Sequence, residues 1–227
     1  AMVDPDNAVN KTLVWSSTDE SVAKVVSVSE DTMTAEIDFV GPGSCEIRAT
    51  AANGVYGAAS VTVSAPTSDW PSDNVIRQDG YYQIPADLNT TVTITDDAHN
   101  VWLTGSNTQE NPYQNLSIDS LNSELHLTVE NLHLSNGANY SSANGIDFLG
   151  TGNTLTLAGE NSVALADYGS SAAIHVPDGV ELTVNGSGKL TILGNHNNYG
   201  AGIGSNAGED AGKIIIDGGV FVIDKVF

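Results

Sequence analysis

The chain is short of positive charge, of cysteine and of helical periodicity. Lys and Arg total seven against 28 Asp and Glu, a formal net charge of −21. Nucleic acid and anionic lipid both need a basic patch, so this balance argues against either as a partner and against direct membrane contact. It favours solubility and the attraction of cations. No Lys or Arg lies between Arg77 and Lys189, whereas thirteen carboxylates do. A direct ionic grip on an acidic polymer is therefore implausible over that stretch. The single cysteine, Cys45, excludes an internal disulfide framework. It alternates with Ile47 and Ala49, the pattern of a small core residue in a strand. No apolar run is long enough to cross a bilayer as a helix, and no signal peptide is legible. That does not imply a cytoplasmic protein. The chain opens and closes inside segments that read as strands, as a fragment would. No segment carries apolar residues at helical spacing.

What the chain does have is Gly and Asn for turns, and β-branched Val and Ile in number among its apolar residues. Residues 1–65 read as short strands with turns at sandwich spacing: Ser21-Val22-Ala23-Lys24-Val25, a turn at Gly41-Pro42-Gly43, then Ile47-Arg48-Ala49-Thr50 and Ala59-Ser60-Val61-Thr62-Val63. Together with Pro5-Asp6-Asn7-Ala8 and Val14-Trp15-Ser16-Ser17, these pieces resemble the group-two bacterial immunoglobulin-like domain, over nearly all of residues 3–64. Such domains usually begin some twenty residues earlier, so the resemblance implies that the first strand or two are missing. It also implies a spacer or adhesin module that carries no chemistry. Residues 66–78, rich in Pro, Ser and Asp, are expected to be a linker.

From 79 to 227 apolar pairs separated by one polar residue recur 27 to 33 residues apart. Three series emerge. The first holds Leu116/Ile118, Ile146/Phe148, Ile174/Val176 and Ile203. The second holds Val92/Ile94, Leu125/Leu127, Leu155/Leu157, Leu182/Val184 and Ile214/Ile216. The third holds Val101/Leu103, Leu132/Leu134, Val163/Leu165, Leu190/Ile192 and Val220/Val222. A repeat near 30 with three short strands is what a parallel β-helix requires. The expected fold is all-β: an immunoglobulin-like β-sandwich followed by a right-handed parallel β-helix with three strands per coil. Asn131 and Asn161 should then occupy one turn in successive coils, with Asn185 near it.

Alternation sorts the outward residues. Ser117, Asp147 and His175 fall on the first face. Thr93, His126, Thr156, Thr183 and Ile215 fall on the second, and Trp102, His133, Ala164, Thr191 and Phe221 on the third. Trp102 and His133, expected on adjacent coils, would make a sugar-stacking spot; the alternative is a Trp covered by the linker or a terminal cap. Tyr113, Tyr140, Tyr168 and Tyr199 precede the first series by four to six residues. One tyrosine per coil would make a ladder, and aromatic faces stack on the apolar faces of sugar rings. The competing reading is that these rings pack the turns on one another. A bridging Ca²⁺ would take carboxylate and carbonyl oxygens. Asp96 and Asp97 at a strand end, with outward Asp147, are the candidate ligands. No Lys or Arg base is available in the central coils, and no Ser-His-Asp triad can be assembled. A lyase or hydrolase is therefore the weaker expectation.

Gly80-Tyr81-Tyr82-Gln83-Ile84, Ala172-Ala173-Ile174-His175-Val176, the run from Leu182 to Ile192, Gly200-Ala201-Gly202-Ile203-Gly204 and Ile214-Ile215-Ile216-Asp217-Gly218-Gly219 resemble the calcium-associated, polysaccharide-binding β-helix domains of Firmicutes surface proteins. That resemblance implies bound Ca²⁺, pectic or cellulose-like ligands and display on the surface of a Gram-positive bacterium. None of that family's ligand residues can be matched individually here. The expected function is adhesion or non-catalytic carbohydrate binding. Two rivals are a structural stalk assembling through open strand edges and, more weakly, ice binding by outward threonines.

Overall fold

A computed structural model of the chain describes residues 10–20, 22–63, 67–135, 143–166, 169–194 and 198–225. The described residues are all strand, turn and loop, with no helix. The chain divides into two compact units, Ala1–Pro66 and Thr67–Phe227.

The first unit carries five strands: β1 (Leu13–Ser17), β2 (Ala23–Val28), β3 (Ala35–Phe39), β4 (Gly43–Ala51) and β5 (Tyr56–Val63). β1, β4 and β5 form one antiparallel sheet, and β2 with β3 forms another. Cys45, Ile47 and Ala49 alternate inward along β4 as their spacing predicts. Cys45 and Ile47 join Val22 and Ala23 in a small core, against which Trp15, Ile37, Val61 and Val63 pack.

The second unit is a parallel β-solenoid of about four turns. Its strands collect into three parallel sheets. The seven-stranded sheet runs β6 (Thr67–Ser68), β8 (Gly80–Gln83), β10 (Asn100–Thr104), β13 (His126–Glu130), β16 (Asn153–Ala158), β19 (Glu181–Gly186) and β22 (Lys213–Ile216). The six-stranded sheet runs β7 (Val75–Ile76), β9 (Thr91–Ile94), β12 (Ser117–Ser120), β15 (Ile146–Phe148), β18 (Ile174–His175) and β21 (Ile203–Gly204). The five-stranded sheet runs β11 (Tyr113–Gln114), β14 (His133–Ser135), β17 (Glu160–Ala164), β20 (Lys189–Gly194) and β23 (Val220–Lys225).

In-register pairing stacks like on like. Val92, Ile118, Ile146, Ile174 and Ile203 form one inward column. Val101, Leu127, Leu155, Val184 and Ile216 form a second. Tyr113, Leu134, Val163, Ile192 and Ile223 form a third. All but the residues nearest the last strands are buried, in one continuous aliphatic core.

The columns correct the expected phase of the first turn. Val92/Ile94 belong with the first series, not the second, and Val101/Leu103 with the second, not the third. The cause is spacing. The step from Thr91 to its neighbour Ser117 is 26 residues, shorter than the 27 to 33 of the sequence periodicity, so periodicity alone carries the first turn one sheet too far. The last strand slips too: Phe221 pairs with Leu190 and packs on the core, while Val220 and Val222 are exposed. Residues 67–76, expected within a linker, supply β6 and β7, and these pair with β8 and β9. Trp70 packs edge-on against Tyr82 and onto the solenoid core. Asn131 and Asn161 are offset by one place, since Leu132 takes the amide oxygen of Asn161 while Asn131 accepts from the Glu160 amide. Asn185 faces outward on β19, where it accepts from Thr156 Oγ1 at 2.7 Å.

Candidate functional site

The three sheets differ in how open their outer faces are. On the five-stranded sheet, His133, Ser162 and Thr191 lie in one outward column, and all three are buried. On the six-stranded sheet, Ser117 and His175 are buried while Asp119 and Asp147 are half-buried. On the seven-stranded sheet no outward residue of β8 to β22 is buried. Its central outward column is Tyr81, Trp102, Thr128, Thr156 and Asn185, one residue per strand. Beside it runs Asn100, His126, Thr154, Thr183 and Ile215, and on the other flank Gln83, Thr104, Glu130 and Ala158.

An aromatic pair heads the central column. The Tyr81 and Trp102 rings lie 5.6 Å apart at 37°. Glu130 holds both by their polar ends: one carboxylate oxygen accepts from Trp102 Nε1 at 3.2 Å and from Tyr81 Oη at 3.3 Å. Strands β8, β10 and β13 are thereby tied across their outer face. Burial, with the Glu130 charge adding to it, raises the Tyr81 hydroxyl above its ordinary value, which keeps the phenol a donor. Both rings stay half-exposed. Two half-buried rings held by one carboxylate give a fixed apolar surface edged with hydrogen-bonding groups. The hydroxyls and amide of Thr128, Thr156 and Asn185 continue it along the solenoid at the strand spacing of about 4.8 Å.

A second cluster lies on the six-stranded sheet, where Asp119, Asp147 and His175 are neighbours in register. His175 Nδ1 meets Asp147 Oδ1 at 2.6 Å and Nε2 meets Glu209 Oε2 at 3.1 Å. Asn144 Nδ2 donates to Asp147 Oδ2 at 3.1 Å. Burial, and then the charge of Asp147, raise the Asp119 carboxyl. Both Asp147 oxygens are thus engaged by protein groups. Asp96 and Asp97 sit in the exposed turn after β9. Among the described residues no three His, Cys, Asp or Glu side chains converge as a metal site, so Asp96, Asp97 and Asp147 are not brought together as ligands.

No protein-family model matches the chain, and comparison with curated proteins and with solved structures finds no match.

The expected aromatic residues separate. Tyr113 is not on a ladder but in the core, 1% exposed, its hydroxyl donating to the Ile84 carbonyl at 3.0 Å and accepting from the Ser106 amide. It occupies the inward position that Leu134 takes on the next strand of its sheet. Tyr199 is 73% exposed. Tyr140 and Tyr168 lie outside the described residues. Trp102 and His133 do not adjoin in register, because the phase slip puts Trp102 on the seven-stranded sheet and His133 on the five-stranded one. His133 is buried against Ser162 Oγ at 2.9 Å, and burial lowers its imidazole below the ordinary value, opposed by Glu160. Sequence reasoning missed Tyr81, Glu130 and Asp119. Asp119 was legible: it follows inward Ile118 by one residue, as Asp147 follows Ile146 and His175 follows Ile174. Glu130 was not, because its role depends on which strand lies beside Trp102.

Proposed function

We propose that the chain is a non-catalytic polysaccharide-binding module displayed on a bacterial surface. In this reading residues 1–65 are an immunoglobulin-like spacer, the solenoid is right-handed with three strands per coil, and its seven-stranded sheet is the binding surface. The Tyr81–Trp102 pair pinned by Glu130 on the most open face carries the reading. It supersedes the tyrosine ladder as the aromatic element. Ca²⁺ enters through the family resemblance, with Asp96 and Asp97 as the exposed oxygens for it. Asp147 contributes less to a cation because His175 and Asn144 already engage both its oxygens. Catalysis is set aside because the outward columns of the seven-stranded sheet offer a single cation, Lys213, and it is paired with Glu181 at 2.9 Å.

The test is a pulldown with insoluble polysaccharides and a glycan array, each with and without EGTA, with the supernatants assayed for released sugars. Wild type binds at least one polymer and releases none. Trp102→Ala lowers affinity by about 2 kcal/mol or more, near 30-fold, as loss of a central aromatic anchor does. Binding to no polymer in either condition ends the reading, and released products end its non-catalytic part.

A further inference from the structure

The open face also says what kind of polymer it accepts and how the polymer lies on it. This inference rests on the polysaccharide-binding reading above. We infer that the seven-stranded sheet takes an uncharged glycan, laid along the solenoid axis across successive strands, with its anchor at Tyr81 and Trp102 and its continuation over Thr128, Thr156 and Asn185.

Charge selects the class. The carboxylate of Glu130 borders the aromatic pair directly. Asp79 lies beside the start of β10, where it accepts from the His99 and Asn100 backbone and from the Asn100 side chain. Those bonds to Asn100 and His99 hold its carboxyl below the ordinary value, so it stays ionised. Glu181 stands on β19. Against these, the outward columns of the sheet hold one basic side chain, Lys213 on β22, and Glu181 takes it. A uronate polymer stacked on Trp102 would bring its carboxylates onto Glu130 with no cation to compensate. A neutral sugar meets only hydrogen-bond donors and acceptors.

Geometry selects the direction. Along the axis a fresh hydroxyl or amide appears every ~4.8 Å, close to the length of one sugar ring. Across it, the same face is only three outward residues wide, as on β10, where Asn100, Trp102 and Thr104 alternate outward. A chain lying lengthwise from Trp102 crosses Thr128 and then Thr156. A chain lying along β10 never reaches Thr156. Glu130 is a specificity-determining residue in this arrangement: it fixes the rings and repels acidic sugars together.

The experiment compares neutral β-1,4-linked gluco-oligosaccharides of two to six units with oligogalacturonates of the same lengths, by calorimetric titration at low salt with EGTA present. The expected result is affinity that rises with length for the neutral series and no heat for the acidic one. Thr156→Arg, a bulky block two strands from Trp102, should weaken the hexamer about tenfold more than it weakens the dimer. Oligogalacturonate bound as tightly as the neutral series, with binding abolished by Trp102→Ala, overturns the charge selection and leaves the polysaccharide reading standing. A hexamer indifferent to Thr156→Arg overturns the lengthwise path. If neither series binds while wild-type protein still binds another neutral polymer through Trp102, the inference stands with a different sugar. If no polymer binds at all, the polysaccharide reading fails and takes the inference with it.

Discussion

Asp119 stands in register between Thr93 and Asp147. Burial and the Asp147 charge raise its carboxyl above the ordinary value, so the fold favours its protonated form and the unfolded chain does not. The sign follows. Above the folded-state pKa its ionisation counts against folding in full. As pH falls through that value the penalty shrinks, and it is gone below the unfolded value of about 4. Asp119→Asn should therefore raise the melting temperature at pH 7 and lose that advantage near pH 4, as read by circular dichroism at both pH values. An equal gain at both pH values would show that ionisation is not the cause. Asp119 illustrates what single residues disclose. Its position one residue after an inward isoleucine is readable in the sequence. The neighbour that perturbs it comes from the strand stacked on its own, 28 residues on.

At the scale of strands and their corners, buried asparagines hold the solenoid's turns to one another. Asn161 is 3% exposed. Its side chain accepts from the Leu132 amide at 2.9 Å and donates to the carbonyls of Ala158 at 2.9 Å and Lys189 at 3.3 Å. It so joins β17 to the strands on either side. Asn153 acts alike, accepting from Leu125 and donating to Asn122 and Gly150. Asn161→Ala leaves buried backbone groups unpaired and should cost about 2–3 kcal/mol, measured by urea unfolding. A change under about 0.5 kcal/mol would mean that water or relaxation replaces the bonds. Corners also demand room. Gly186 has φ +98°, and a β-carbon there would overlap the Leu157 backbone, so the chain uses glycine where two turns touch. Strand identity was legible from alternation, because inward and outward residues differ in polarity within one strand. The phase between turns was not. A turn of 26 residues and one of 29 present the same alternation, and only pairing decides which sheet a strand joins.

The whole molecule joins two units of unequal core. Among the described residues the first has a core cluster of four buried residues with four partly buried ones against it, and the second has a continuous column of aliphatic side chains running through its turns. Calorimetry should resolve two transitions, the smaller first. The Cys45 thiol, buried in the first unit, should become reactive to a thiol reagent with that first step. A single cooperative transition, or thiol exposure only with the second, would show that the units stabilise each other. The sequence by itself determined the all-β class, the parallel repeat, the alternation of inward and outward residues and the excess of negative charge, because each is a property of local order and composition. Only the tertiary structure decided that Tyr113 is core, that His133 is covered, and that Tyr81, Trp102 and Glu130 meet. Those facts depend on register between strands 21 to 49 residues apart, and register is set by packing of the whole stack, which no local pattern encodes.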